Sequence, residues 1–180
     1  RLATCGGVGF AVDVAARANA WKASRSGAFV RAIGPLVYPL AAARQLAAPR
    51  KDITATLMVA GASQDVSLSI AMVSNQSRFG NRFSTSPSAR NDDGVLDLAL
   101  FDPVVGALKM ARTVIQIYRA RPDRCAGVRH LRSTAFTLTT AEPVPFFGDG
   151  EVLCVSDHLE VCVRPRAVRV LGPATGQAER

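Results

Sequence analysis

Short runs in which every second residue is apolar recur along this chain, and they restrict its fold more than any other feature. Ile53, Ala55, Leu57 and Val59 alternate with Thr54, Thr56 and Met58, and Val66, Leu68, Ile70 and Met72 alternate with Ser67, Ser69, Ala71 and Val73. Successive side chains of a strand point to opposite faces, so such runs are half-buried strands. Gly61-Ala62-Ser63-Gln64 separates the two, which predicts a hairpin. Further strands are expected over residues 96–101, 135–140, 152–155, 159–163 and 168–171. Many short strands at close spacing favour a sandwich or barrel over a parallel sheet.

Two segments carry a helical period instead. Leu36, Leu40, Ala43 and Ala47 fall on one face, with Pro35 and Pro39 marking a start or kink. Val104, Leu108, Ala111, Ile115 and Tyr118 form a cleaner stripe, opened by Asp102-Pro103 as cap and first turn. Both stripes are expected to face the core. The fold class is therefore mainly β with a few helices, α+β. No internal repeat interrupts this pattern, and the residues from Ala174 onward have the composition of a disordered tail.

The chain has 180 residues, enough for one domain with a core. No uninterrupted apolar run reaches the length of a membrane-spanning helix. The opening residues lack the apolar core of a signal peptide and have no initiator Met, so the chain is expected to start partway through a longer protein. Its net charge of +8 is unevenly spread. Between Asp13 and Asp52 there is no acid but seven cations: Arg17, Lys22, Arg25, Arg31, Arg44, Arg50 and Lys51. A second acid-free stretch, 124–140, carries Arg124, Arg129 and Arg132. With one Trp and two Tyr the chain has few stacking platforms for nucleic acid, which is not expected as a partner. An anionic membrane surface, which attracts basic residues, explains the charge equally well.

Cys5, Cys125, Cys154 and Cys162 do not make a disulfide framework in a chain of this length. Cys154, His158 and Cys162 lie four residues apart, a spacing that stacks three zinc ligands on one face of a helix. The surrounding valines read instead as two strands about a turn at Ser156-Asp157-His158, with no fourth soft ligand, and small buried thiols are the expectation.

Three short motifs can carry chemistry. Asn91-Asp92-Asp93-Gly94-Val95-Leu96-Asp97 places two acids and a glycine before an apolar strand, offering a hard cation carboxylate and carbonyl oxygens, or forming a plain turn. Phe146-Phe147-Gly148-Asp149-Gly150-Glu151 puts carboxylates on a turn beside aromatics. Partial burial there would raise a carboxyl pKa toward that of a general base, and the alternative is a plain hairpin turn with both acids in water. Cys5-Gly6-Gly7-Val8-Gly9-Phe10 lacks the spacing of a dinucleotide or P-loop motif and reads as a glycine-rich strand bend or a close backbone approach. His130, in Gly127-Val128-Arg129-His130, has no nucleophile arranged with it and reads as structural.

The order of these elements is more specific than any one of them. Asn75, Gly80, Pro87-Ser88-Ala89, Asp92-Asp93-Gly94-Val95-Leu96-Asp97, Gly127-Val128-Arg129-His130, Asp149-Gly150-Glu151 and the closing 164–173 stretch follow one another along the chain. That succession resembles the diacylglycerol kinase, sphingosine kinase and ceramide kinase family. Gly7-Val8-Gly9-Phe10 is similar to the Gly-Ile-Gly-Phe with which the family's chain enters its second domain.

The resemblance implies a β-sandwich-like C-terminal domain of the NAD kinase-like fold over residues 1–173, with 174–180 as a tail. It also implies a separate N-terminal ATP-binding domain, whose Gly-Gly-Asp-Gly-Thr motif is absent here. Carried over residue by residue, it makes Glu151 the proton acceptor for the lipid hydroxyl, with Asp149 in the same turn. It makes Asp93 the side-chain ligand of a structural magnesium ion, together with the carbonyl oxygens of Arg90 and Val95. Gly80-Asn81-Arg82 departs from the family's Gly-Gly-Gly.

The implied function is the substrate-side domain of an ATP- and Mg2+-dependent lipid kinase acting on a hydroxyl of diacylglycerol or a sphingoid-like lipid. Its partners would be the lipid, an anionic membrane reached peripherally from the cytoplasm, the nucleotide-binding domain, and a second copy through an open sheet edge. The fragment alone would be inactive. The rival reading is a lipid- or protein-binding module without catalysis.

Overall fold

The computed structural model describes residues 4–23, 34, 37–48, 51–79 and 83–167. In chain order the elements are β1 (Cys5–Gly9), α1 (Phe10–Ala23), α2 (Val37–Leu46), β2 (Ile53–Val59), β3 (Ala62–Leu68), β4 (Ile70–Ser74) and β5 (Leu96–Phe101). There follow α3 (Ala107–Tyr118), a 3-10 turn at Pro122–Arg124, β6 (Val128–Ser133), β7 (Ala135–Gly148) and β8 (Glu151–Cys162). All strand pairings are antiparallel in the order β3-β2-β7-β1-β4-β5-β6, and β8 pairs with β7.

The alternation in β2 has the expected meaning: Ala55 and Leu57 are buried while Thr54, Thr56 and Met58 are exposed. Its hairpin to β3 turns on only two residues, Ala60 (φ 49°) and Gly61 (φ 82°), with Val59 opposite Ala62. Two successive positive φ values match the right-handed twist of the strands. The four-residue connection expected at Gly61-Ala62-Ser63-Gln64 is therefore shorter, and Ala62 to Gln64 belong to β3.

The alternating run through Val73 is two strands, not one. At Ser69 the chain leaves β2 and enters the sheet between β1 and β5. Ser69 fixes this corner: its N–H donates to Phe101 O (3.0 Å), its carbonyl accepts from Phe10 N (3.1 Å), and its hydroxyl donates to Asp52 Oδ1 (2.6 Å) and accepts from Val104 N (2.8 Å).

β7 serves two parts of the sheet. Residues 136–140 pair with β2, Phe147 and Gly148 pair with β1, and a break in register against β8 between Thr139 and Val144 separates them. Strands that bend at such irregularities let one sheet fold over on itself. The inner core joins side chains from both parts: Val8, Leu57, Leu68, Val73, Leu98, Phe136 and Leu159. On the other face, Met72, Ala99 and Phe101 pack with Phe10 of α1 and with Met110 and Ile117 of α3. Both faces of β4 and β5 are thus covered, which is why Ile70–Ser74 and Leu96–Phe101 are buried throughout. Packing leaves no room for a side chain at Gly7 or Gly9, where a Cβ would lie 2.3 Å from Ala71 O and from Ser69 O respectively, so the close-approach reading of the glycine motif holds.

Several expectations need correction. β8 is one continuous strand with no turn at Ser156-Asp157-His158. Cys154 and Cys162 on it are exposed, not buried. Four residues of strand span about 13 Å, so Cys154, His158 and Cys162 cannot converge on a metal. α2 buries Val37, Ala41 and Gln45, leaving Leu40 and Ala43 outside, because it packs on the alanine-lined face of α1 around Ala18. α3 starts at Ala107 after Gly106 rather than at Asp102-Pro103, and it buries Met110, Thr113 and Ile117. Three large apolar residues of the expected stripe, Leu108, Ile115 and Tyr118, are exposed instead. α1 and β6 were not anticipated. The 168–171 strand, the Gly80-Asn81-Arg82 departure and the tail lie outside the described residues.

Candidate active site

The register places both acidic motifs at one end of the sheet. Cys5 of β1 is opposite Ser74, Ser74 is opposite Asp97, and Asp97 is opposite Arg132; one residue along β1, Gly6 is opposite Gly148, which precedes Asp149-Gly150-Glu151. Three strand spacings separate β7 from β5, about 14 Å. The two motifs share an edge without touching.

Asp149 and Gly150 form the two-residue turn between β7 and β8, with φ of 51° and 106°. The turn is tied down from three sides. Asp149 Oδ1 accepts from the N–H of Thr4 (2.9 Å) and of Cys5 (3.3 Å) and from the Thr4 hydroxyl. Asp149 N–H donates to Cys5 O (3.0 Å), and Asn19 Nδ2 of α1 donates to Gly150 O (2.7 Å). Asp149 therefore holds the turn, and Glu151 at its far end is exposed, with no hydrogen bond or ion pair among the described residues. The partial burial expected for the turn acids is not found at Glu151. Phe146 and Phe147 lie on opposite faces of β7 and pack into the two cores rather than beside it. Val152, Leu153 and Val155, which follow Glu151, are exposed. Beneath the turn, burial pushes the Cys5 thiol up from its ordinary 9.0 to about 11, outweighing the lowering effect of the Thr4 hydroxyl.

At the second motif, Asp93 Oδ1 accepts from Val95 N (3.1 Å), closing a local turn before β5. Asp93 Oδ2 is paired with Arg132 Nη2, and Arg132 Nε reaches Asp97 Oδ1 at 3.4 Å. Arg90 pairs with Asp92 (3.0 Å), which lowers the Asp92 carboxyl pKa. Asp97 is only 4% exposed, and its Oδ2 is buried without a hydrogen-bond partner. Burial raises its pKa, opposed by Arg132. Two carboxylates, one with an unsatisfied buried oxygen, and the nearby carbonyls of Arg90 and Val95 suit a hard cation. Arg132 is the competitor, because its guanidinium already contacts both carboxylates and offsets one of their two charges. Among the described residues no three His, Cys, Asp or Glu side chains cluster as a metal site, so carbonyl oxygens would have to complete the shell.

Asp149, Glu151, Arg90, Asp93 and Val95 are therefore at one end of the sheet, but as two separate groups. Sequence reasoning missed Thr4, Asn19 and Arg132. Only Arg132 left a signal, as a cation in an acid-free stretch whose strand partner on β5 is Asp97.

An antiparallel sheet folded on itself, with a Gly-rich first strand and an Asp-Gly-Glu hairpin beside it, defines a β-sandwich-like domain. Residues 7–172 match the YegS C-terminal NAD kinase beta sandwich-like domain, and the chain belongs to that family of lipid-kinase domains. Similar solved structures include two diacylglycerol kinase structures from Bacillus anthracis strain Sterne. One has a TM-score of 0.62 at 16% identity, and the other a TM-score of 0.59 at 16% identity. Each match covers 91% of this chain and 50% of the other, so the chain spans about half the length of these relatives. At that identity they show the fold. No curated protein matches the chain.

Proposed function

We propose that this domain is the substrate-side half of an ATP-dependent lipid kinase, with Glu151 taking the proton from the lipid hydroxyl as the γ-phosphoryl group is transferred. The carrying observation is the division of labour in the hairpin: Asp149 is committed to the backbone of Thr4 and Cys5, while Glu151 is exposed and unpaired among the described residues. A carboxylate on a braced turn can meet a hydroxyl brought by another body without reorganising, and phosphoryl transfer depends mainly on such positioning. The exposed Val152, Leu153 and Val155 give the nucleotide-binding half an apolar surface next to Glu151. ATP belongs to that half.

Magnesium at Asp93, with the carbonyls of Arg90 and Val95, would order the loop before β5. About 14 Å from the hairpin it is too far to touch the reacting atoms. Diacylglycerol fits the family, and a sphingoid-like lipid carries the same hydroxyl. The working location is the cytoplasmic face of a membrane, reached peripherally; no helix among the described residues is long and apolar enough to cross one. The test is transfer of labelled phosphate from ATP to a lipid panel by the intact protein and by Glu151→Gln. Turnover near normal in the variant would remove Glu151 from the chemistry.

A further inference from the structure

The face that α3 turns away from the core combines exposed aliphatic residues with cations. Met110, Thr113 and Ile117 anchor the helix. On the opposite side Leu108 is 68% exposed and Ile115 46%, and Val105 just ahead of the helix is 76% exposed. At about 100° per residue, Leu108, Arg112, Ile115 and Arg119 fall within about 60° of one another, and Lys109 flanks them. No acid lies on the helix. Lys109, Arg112 and Arg119 make no ion pair among the described residues; of the nearest acids in sequence, Asp102 pairs with Arg129 and Asp123 lies 3.8 Å from His130. Tyr118 closes the stripe, edge-on to Phe83 with ring centroids 5.3 Å apart.

We propose that this face, Val105, Leu108 and Ile115 framed by Lys109, Arg112 and Arg119, docks onto an anionic lipid bilayer. The charge pattern selects the occupant. A second copy meeting this face would set three unpaired cations against three more, with no acid on either helix. A nucleic acid would answer the cations but leave the aliphatic residues against its phosphates. A bilayer satisfies both, because aliphatic side chains sink a few ångströms below the headgroups while flanking cations meet anionic lipids. The helix is held at a fixed angle by its buried side, so it presents this face without having to fold on contact. The inference names the face for the peripheral membrane location proposed above and rests on that part of the reading, but not on Glu151 or on catalysis.

The test is sedimentation of the intact protein with phosphatidylcholine vesicles, with and without phosphatidylserine, in the absence of ATP and of any substrate lipid. Binding is expected only with phosphatidylserine and to weaken with salt. Arg112→Gln and Arg119→Gln should each lower affinity by about fivefold. Leu108→Glu with Ile115→Glu should lower it by at least about tenfold. Thermal melts confirm that the variants fold, and Leu108→Gln with Ile115→Gln repeats the test without added charge. Absence of binding, or binding indifferent to both the aliphatic and the cationic changes, overturns the proposal. So does self-association that the Leu108 and Ile115 changes abolish. Loss of kinase activity in Glu151→Gln would leave vesicle binding unchanged, so the two readings fail separately.

Discussion

The carboxylate of Asp149 accepts a 2.9 Å hydrogen bond from the backbone N–H of Thr4, 145 residues away in sequence. Through it the last hairpin of the sheet is fastened to the start of the first strand. Asp149→Ala removes the acceptor for Thr4 and Cys5 and places alanine at φ 51°, so it should cost about 2–3 kcal/mol. Asp149→Asn keeps an acceptor and tolerates that φ, so it should cost less than about 1 kcal/mol. Glu151→Gln should leave stability unchanged and lower turnover by at least about a hundredfold. Urea unfolding beside a phosphoryl-transfer assay separates the three. Equal stability of Asp149→Ala and the native protein would remove Asp149 from its bracing role.

The outline of the fold was legible wherever one face of a strand is wet. β2 reads correctly because Thr54, Thr56 and Met58 face solvent. β5 is buried on both faces, and it reads correctly because Leu96, Leu98, Ala99, Leu100 and Phe101, interrupted only by Asp97, follow the turn at Asp92-Asp93-Gly94. The helices were harder. α1 is rich in alanine, so its faces hardly differ, and it was missed. In α3 large apolar residues lie on both sides, Met110 and Ile117 buried and Leu108 and Ile115 exposed, so size does not mark the core face, and in α2 the packing face carries Ala41 and Gln45 while Leu40 is exposed. β8 looks interrupted because Ser156-Asp157-His158 is polar, yet an exposed strand carries polar residues without breaking; Ser156 Oγ donates to His158 O within it (2.8 Å). At the site, Asp-Gly-Glu identified the hairpin, but its moorings on Thr4 and Asn19 depend on long-range register that no local motif encodes.

The Asp93 turn yields a competition between a metal and an arginine. Arg132→Gln leaves the Asp93 and Asp97 carboxylates without their cation, so the melting temperature should fall without magnesium. Added magnesium should then raise it by about 2–4 °C, more than in the native protein. Asp93→Ala should abolish the magnesium response in either background. Melting curves with and without magnesium, calcium and chelator read this directly. A flat response in the native protein and in Arg132→Gln would exclude a cation from this turn.

Cys5 gives a pH dependence whose sign follows from burial. Its folded thiol titrates at about 11 against an ordinary 9.0, so the folded state holds this proton more tightly than the unfolded chain. The associated stability, about 2–3 kcal/mol, is fully present below 9.0 and is lost as pH rises through about 11. Cys5→Ala should flatten that part of the stability profile. Iodoacetamide at mildly alkaline pH should label the exposed Cys154 and Cys162 and spare Cys5 and Cys125 until the protein unfolds. Rapid labelling of Cys5 in the folded protein would refute the buried thiol.

The interior of the sheet bears on where a lipid chain can lie. It holds a small, partly open apolar pocket of about 30 Å³ lined by Val8, Leu57, Val73, Leu98, Phe136 and Leu159. An acyl chain could enter only if the two parts of the sheet moved apart. Ala71 lines the same space, and Ala71→Val should fill it and raise stability by about 0.5–1 kcal/mol. If acyl chains bind on the exposed apolar surfaces, activity toward long-chain and short-chain substrates should be unaffected by this change. If they enter the sheet, the added methyl groups should raise KM for long chains while sparing short ones. The packed interior favours the first outcome, and a chain-length-dependent rise in KM for Ala71→Val would show that the sheet opens to take the lipid.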